Sequence, residues 1–121
     1  MKYMVLMHHD EEAFAKFSEG AQKEMLDESV RITHELHAKG QYIDAAPLHP
    51  TPTATSVRVR EGKRLVTDGP FAETREQLAG YFLIDVEDLD AAIAVAARLP
   101  GARIGTAEIR PVKAIEGLPN K

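Results

Sequence analysis

Two short segments of the 121-residue chain contain the side chains best suited to chemistry, and the first begins at Asp68. From there to Tyr81 the sequence reads DGPFAETREQLAGY, which places acidic, basic and amide groups within a few residues. A loop of that composition near the edge of a sheet can hold a polar ligand. We therefore predict that Asp68 is a catalytic acid or base. The predicted ligand-binding residues are Glu73, Arg75 and Gln77.

The same motif also has a purely structural interpretation. Asp68 is a turn former, Gly69 can adopt positive φ, and Phe71 can anchor the loop in an apolar pocket. Arg75 would then pair with a neighbouring glutamate, and such surface ion pairs contribute only about 0–1 kcal/mol to stability. The sequence leaves both interpretations open.

The second segment is a pair of histidines at the end of an apolar run near the amino terminus. His8 and His9 precede Asp10, and on a strand their rings would point to opposite sides. A neutral imidazole beside a carboxylate can act as a general base, so His8 is the second predicted catalytic residue. His34 and His37 have the spacing of one helical face but lack a third ligand, and we therefore predict no metal site.

Composition limits the classes of function. The chain has 19 acidic and 15 basic residues and a formal net charge of -4, which argues against a nucleic-acid partner. It contains no cysteine, which fits a cytoplasmic location and excludes thiolate chemistry. The first apolar run, Tyr3 to Met7, is too short to span a membrane. The glycines form no phosphate-binding, nicotinamide or flavin fingerprint, so we predict no cofactor.

Hydrophobic periodicity predicts the elements that position these groups. The first strand is apolar on both faces, and an amphipathic helix follows from Ser18 to about Lys39, with Gly40 as its stop. Residues 1–114 form one predicted domain, and residues 115–121 form a short polar tail. The remaining predicted elements are a strand over 41–48, a hairpin over 53–67 that turns at 61–63, a strand over 81–86, a helix ended by Pro100 and Gly101, and a strand over 104–112.

The predicted order is strand, helix, strand, hairpin, strand, helix, strand, which is an α+β ferredoxin-like sandwich with an inserted hairpin. The second helix follows Asp88 as its N-cap, and its predicted inward residues are Leu89, Ile93 and Ala96. Two helices can cover only one face of the sheet, yet the first strand and residues 81–86 are apolar on both faces. We therefore predict a homodimer in which two sheets enclose a shared core or cavity.

Three segments of the chain resemble the DGPF-domain proteins of the YCII-related family. They are MKYMVLM at the start, TATSVRVREGKRLVTDGPFAETREQLAGYFLIDVEDLDAAIAVAARLP in the middle and AEIRPV near the end. The resemblance covers nearly the whole chain. Ala79 stands where a second glycine is commoner in that family, and Arg75 replaces a frequent lysine. The resemblance implies the dimeric α+β barrel fold, in agreement with the separate argument from two-faced strands.

The resemblance also suggests possible functions, although most members of the family are uncharacterised. Within the wider family a His and Asp pair is taken as the active site, and such a pair suits proton abstraction or elimination on a small organic acid or ring. The family's histidine lies in the first-helix region, where this chain offers His34 and His37, and Asp68 is the acid that best matches the motif. DGPF-domain proteins also resemble partners of extracytoplasmic-function sigma factors.

Three functional hypotheses follow from the residues and the resemblance. The main hypothesis is that the chain binds a small polar or anionic organic molecule in a cavity of a dimeric α+β barrel. The second is a cofactor-independent, lyase- or isomerase-like enzyme that uses an Asp and His acid-base pair. The third is a regulatory partner of an extracytoplasmic-function sigma factor.

Overall fold

The computed structural model describes residues 1–119. The strands are β1 (Lys2–His9), β2 (Tyr42–Pro47), β3 (Thr55–Arg60), β4 (Lys63–Asp68), β5 (Gln77–Asp85) and β6 (Thr106–Pro111). The helices are α1 (Glu11–Ala15), α2 (Glu19–Ala38), α3 (Leu89–Arg98) and α4 (Pro100–Ile104), with one 3₁₀ turn at Thr51–Thr53. None of the helices in this part of the chain is long and apolar enough to cross a lipid bilayer.

The main sheet has four strands in the order β2-β5-β1-β6, and every neighbouring pair is antiparallel. Strands β3 and β4 form a separate two-stranded sheet. Two crossovers, β1-α2-β2 and β5-α3-β6, each skip one strand, which is the split βαβ arrangement of the ferredoxin-like fold. The predicted α+β fold with an inserted hairpin is therefore confirmed.

The core lies between the main sheet and the helices. Alternate residues of β1, namely Tyr3, Val5 and Met7, are buried there against apolar side chains of α2 and α3. The intervening residues Met4 and Leu6 are only half-buried, because no helix covers the other face of the sheet. The helices and β5 contribute six buried apolar side chains to this core, namely Ile32, Leu36, Ile84, Ala92, Val95 and Ala96.

Helix α2 begins and ends where the sequence predicts. The Ser18 hydroxyl accepts a hydrogen bond from the Ala21 amide at 3.1 Å, and Gly40 after the helix adopts a φ of 71°. Two ion pairs then join α2 to its neighbours: Arg98 of α3 contacts Glu35, and Arg103 of α4 contacts Glu28 at 2.8 Å. The charged side of α2 thus contacts both neighbouring helices through exposed ion pairs, which add little to stability.

Three local features differ from the predicted set of elements. Residues 11–15 form helix α1, because the Asp10 carboxylate accepts hydrogen bonds from two amides of its first turn. Pro100 ends α3 as predicted but also begins α4, a position where its missing N–H costs nothing. In α3 the predicted inward residues Leu89 and Ile93 are half-exposed, whereas Ala96 is buried as expected.

The turn of the inserted hairpin is a tight two-residue loop. Glu61 and Gly62 have φ values of 51° and 76°, as in a type I′ turn, which matches the twist of the two strands. At the end of the chain, residues 115–119 of the predicted tail contain no helix or strand, and residues 120 and 121 lie outside the described residues.

Candidate functional site

An irregularity in the pairing of β1 with β5 shapes one end of the main sheet. Met7 pairs with Gly80 but His8 pairs with Leu78, so Ala79 is an extra residue on β5. Such a bulge bends the strand and redirects its side chains. The end of β1, where His9 pairs with Gln77, therefore lies beside the loop that precedes β5.

An apolar cavity of about 300 Å³ lies between α2 and the main sheet, next to this bulge. Met25, Leu26 and Val30 of α2 line one side, and Met7 and Phe82 of the sheet line the other. Leu99 and three residues of α4 also line the cavity.

A larger groove of about 1020 Å³ adjoins the cavity on the side of α1. Five residues line both spaces, so the cavity and the groove are direct neighbours; they are His9, Phe14, Gln22, Pro47 and Ala79. The groove is more polar than the cavity, because Asp10, Glu11, Thr51, Thr74, Arg75 and Gln77 contribute to its wall.

His9 lies at the junction of the two spaces. Its ring stacks on that of Phe14, with 4.5 Å between centroids and an angle of 11° between the planes. Burial lowers the pKa of His9 below its ordinary value, although Glu11, Glu76 and Asp10 oppose the shift. Neither ring nitrogen forms a hydrogen bond within residues 1–119. His9 is therefore a neutral imidazole with free nitrogens at the mouth of an apolar cavity.

Arg75 and Gln77 both reach the groove, but their side chains differ in availability. The Gln77 carbonyl oxygen accepts a hydrogen bond from the Glu11 amide at 2.9 Å, and its amide group donates to the Thr74 carbonyl at 2.6 Å. Gln77 thus joins β5 to α1 and to the preceding loop. Arg75 forms no ion pair in the described part of the chain, so its guanidinium is available to a ligand.

Comparison with known proteins identifies the family. The model of the YCII-related domain matches residues 1–116. The chain belongs to the YCII-related family. An uncharacterized protein of Rhizobium meliloti (strain 1021) is 35% identical over 114 residues, which cover 93% of this chain and 92% of that protein.

In this YCII-related chain the two predicted catalytic residues lie apart. His8 points to the uncovered face of the main sheet, where its Nε2 atom lies 3.0 Å from Glu108 Oε1. Asp68 ends β4 in the separate hairpin and is exposed. Neither residue lines the cavity or the groove. Their catalytic roles stay predictions, and the structure does not bring them together as an acid-base pair.

Several contacts expected around these residues are absent or replaced in the YCII-related chain. The Asp10 carboxylate caps α1 and forms no hydrogen bond with His8 or His9, although its charge acts on His9. Glu73 is exposed and lines neither space, while Glu76 accepts a hydrogen bond from Thr106 at 2.8 Å. Phe71 is 79% exposed, so it does not anchor the loop within the single chain. Gly69 does adopt positive φ, at 91°.

Within residues 1–119, no group of three or more His, Asp or Glu side chains is placed so that it could hold a metal ion. His34 and His37 are exposed on α2, and the His37 ring contacts Tyr42 edge-on at 6.3 Å between centroids. Neither of these histidines lines the cavity or the groove.

The alternation of apolar residues along β1 indicates that His9, rather than His8, points toward the cavity. Tyr3, Val5 and Met7 are the buried face of β1, and His9 continues that alternation toward the helices. His8 belongs to the alternate set, which faces away from the cavity. Because successive side chains of a strand point to opposite faces, the two neighbouring histidines of this YCII-related chain lie on opposite sides of the sheet.

The lowered pKa of His9 leads to a prediction of how the stability of the folded chain depends on pH. Because the folded pKa is below the unfolded value of 6.5, the unfolded chain takes up the proton first as the pH falls. The stability associated with neutral His9 is therefore present above about pH 6.5 and is lost as the pH decreases through the folded pKa. We expect His9→Gln to reduce the difference between melting temperatures measured at about pH 7.5 and about pH 5.

The matched control for this measurement is His34→Gln, which changes an exposed histidine on α2. That variant should retain the wild-type difference between the two melting temperatures. An equal reduction in both variants would show that His9 is not the group responsible.

Proposed function

We propose that this YCII-related chain binds a small organic anion, with its apolar part in the cavity and its charged group in the groove. The observation that supports this most directly is the junction at His9, where an apolar space meets a groove containing an unpaired guanidinium. Ligand sites in proteins are mostly apolar and have a few well-placed polar groups. At about 300 Å³ the cavity is at the small end of that class.

Arg75 is the residue that selects an anion in this proposal. A guanidinium can donate two parallel hydrogen bonds to a carboxylate, which fixes both the position and the orientation of the ligand. Three carboxylates line the groove: Asp10 caps α1, Glu11 accepts hydrogen bonds from the amide and hydroxyl of Thr51, and Glu12 is exposed. Arg75 forms an ion pair with none of them, so its guanidinium is the group that a ligand carboxylate would pair with.

A second candidate function is catalysis of proton transfer by His9. A neutral imidazole at the cavity mouth can remove a proton from a carbon atom next to the bound carboxylate, as a lyase- or isomerase-like reaction requires. The lowered pKa keeps the ring unprotonated at neutral pH, which a proton acceptor requires. In this proposal His9 replaces His8 as the base, since His8 lies on the other face of the sheet.

The decisive experiment compares carboxylates with neutral amides of the same shape. We expect hexanoate and phenylacetate to raise the melting temperature more than hexanamide and phenylacetamide, because a ligand stabilises the state that binds it. Arg75→Gln should weaken carboxylate binding by roughly tenfold to a hundredfold, as expected for loss of a charged hydrogen bond. Isothermal titration of the wild type and the variant measures this change.

Arg31→Gln is the matched control, since Arg31 is exposed on α2 and lines neither space. Its carboxylate affinity should equal that of the wild type. Equal binding of amides and carboxylates, or an unchanged affinity in Arg75→Gln, would contradict the proposed anion site. Melting temperatures that no compound in the panel raises would contradict the binding function as a whole.

We also propose that the uncovered face of the main sheet is the interface of a homodimer. Met4, Leu6 and Leu83 form an apolar strip on that face, and all three are only half-buried in the single chain. A second copy would bury the strip and give the dimeric α+β barrel that the family resemblance implies. Sedimentation should then give twice the 13.3 kDa mass of one chain. The cytoplasmic location and the regulatory role stay predictions.

A further inference from the structure

The groove beside His9 carries more negative than positive charge. The carboxylates of Asp10, Glu11 and Glu12 line it, and among residues 1–119 Arg75 is the one lining residue with a permanent positive charge. Glu76, just before β5, adds a further negative charge that acts on His9. Like charges repel, so a ligand carboxylate that enters the groove meets a surplus of negative charge. A site for an organic anion therefore needs a second positive charge.

His9 can supply that charge. Of the described residues that line the cavity or the groove, it alone can gain a positive charge near neutral pH. It lines both spaces, so its ring lies where the apolar part of a ligand would meet the charged group. Neither ring nitrogen forms a hydrogen bond within residues 1–119. A protonated ring would thus offer N–H donors to a carboxylate.

The remaining walls bring no charge at neutral pH. In the described part of the chain, the lining residues of α2, β2, β5 and α4 have apolar, amide, hydroxyl or phenol groups, and phenols are uncharged at neutral pH. The two phenols are those of Tyr42 and Tyr81. His8 lies on the other face of the sheet beside Glu108. The charge of the site is therefore set by the acidic groups around His9, by Arg75 and by His9 itself.

The protonation of His9 depends on opposing effects that a bound anion can shift. Burial lowers the pKa of His9, whereas Glu11, Glu76 and Asp10 raise it. In the empty site burial has the larger effect, so the ring is neutral at neutral pH. A bound carboxylate adds one more negative charge beside the ring and so favours its charged form.

We propose that the site takes up its organic anion together with one proton, which His9 holds as an imidazolium while the ligand is bound. This inference rests on the proposed function and specifies the ligand as an organic acid whose carboxylate reaches both Arg75 and His9. The proton comes from solvent, and no covalent bond of the ligand changes. An imidazolium cannot accept a further proton, so His9 would act as a binding group rather than as the base of the second candidate function.

The test is isothermal titration of the full chain with phenylacetate in buffers that differ in their enthalpy of ionisation. The dependence of the measured heat on the buffer gives the number of protons taken up. We expect uptake of roughly half a proton or more per bound phenylacetate at about pH 6.5. Binding that takes up a proton weakens as the pH rises, so the affinity should decrease at least about fivefold between about pH 6 and about pH 8.

His9→Gln separates the proposed proton carrier from other groups, because glutamine is polar but cannot be protonated in this pH range. This variant should take up no proton, and its affinity should be nearly the same at both pH values. His34→Gln is the matched control, since His34 is exposed on α2 and lines neither space. Its proton uptake should equal that of the wild type.

The possible failures point to different errors. Phenylacetate binding by the wild type without proton uptake would overturn the inference and leave the proposed anion site standing, and this result requires no variant. Proton uptake that persists in folded His9→Gln would place the proton on another group and would also overturn it. No phenylacetate binding at any pH in the range would contradict the proposed function itself, and the inference with it.

Discussion

Replacing Gly105 by alanine is expected to destabilise the folded chain by about 3 kcal/mol, as overpacking at a site that cannot relax does. Gly105 lies between α4 and β6, where the backbone passes very close to the end of β1. A Cβ atom there would lie 2.0 Å from the His8 carbonyl oxygen and 3.0 Å from the His9 Cα atom. Both atoms belong to the backbone, so no side-chain rotation can relieve the contact.

The measurement is urea denaturation of the wild type and the variant, with Gly20→Ala as the control. In Gly20→Ala the nearest atom to the new Cβ is the Ser18 hydroxyl oxygen at 3.9 Å, and the site is inside α2. Alanine in a helix is favoured over glycine by roughly 0.5–1 kcal/mol, so this variant should be slightly more stable. Equal stabilities of the two variants would contradict the close approach at Gly105.

The same contact has a consequence for the candidate site. Because the Cβ of alanine at position 105 would push on the backbone of His8 and His9, it would displace the imidazole from the cavity mouth. Carboxylate binding by any folded fraction should therefore weaken as well. This couples the packing of β6 against β1 to the geometry of the proposed site.

The fold could be predicted because its strongest patterns are local. Alternation in β1, the helical spacing and capping of α2, and the glycine of the hairpin turn each have a direct physical cause in the sequence. The strand order then follows from the two crossovers, β1-α2-β2 and β5-α3-β6, that the predicted sequence of elements contains. These elements were correct to within a few residues.

The inward face of α3 was predicted less well. The large residues Leu89 and Ile93 are half-exposed, and the smaller Ala92, Val95 and Ala96 face the core instead. Small side chains allow the helix to lie close to the sheet, and this contact outweighs the local preference for burying the largest residues. The prediction was therefore correct for Ala96 and wrong for Leu89 and Ile93.

The candidate site was predicted only in part, because it depends on contacts between distant segments. Arg75 and Gln77 were placed near a cleft, and both do line the groove. The bulge at Ala79 and the stacking of Phe14 on His9 have no sequence pattern of their own. The motif that begins at Asp68 looked like one site, but the structure divides it between the base of the hairpin and the groove.

Leu99→Ala is the prediction that tests stability and ligand size together. Leu99 is fully buried between α3 and α4, and it is one of the residues that line the cavity. Removing its side chain should destabilise the fold by about 3 kcal/mol, within the usual range for a buried leucine. Urea denaturation measures that loss directly.

The space left by Leu99 should also change the preferred ligand, because it extends the apolar cavity by about three carbon atoms. Each methylene group that a ligand buries contributes about 0.8 kcal/mol, so octanoate should gain roughly tenfold in affinity relative to hexanoate. Leu26→Ala is the control, since Leu26 lines the same cavity from α2 but is half-exposed. That variant should cost little stability and leave the ratio of the two affinities near its wild-type value. An unchanged ratio in Leu99→Ala would place the apolar part of the ligand outside this cavity.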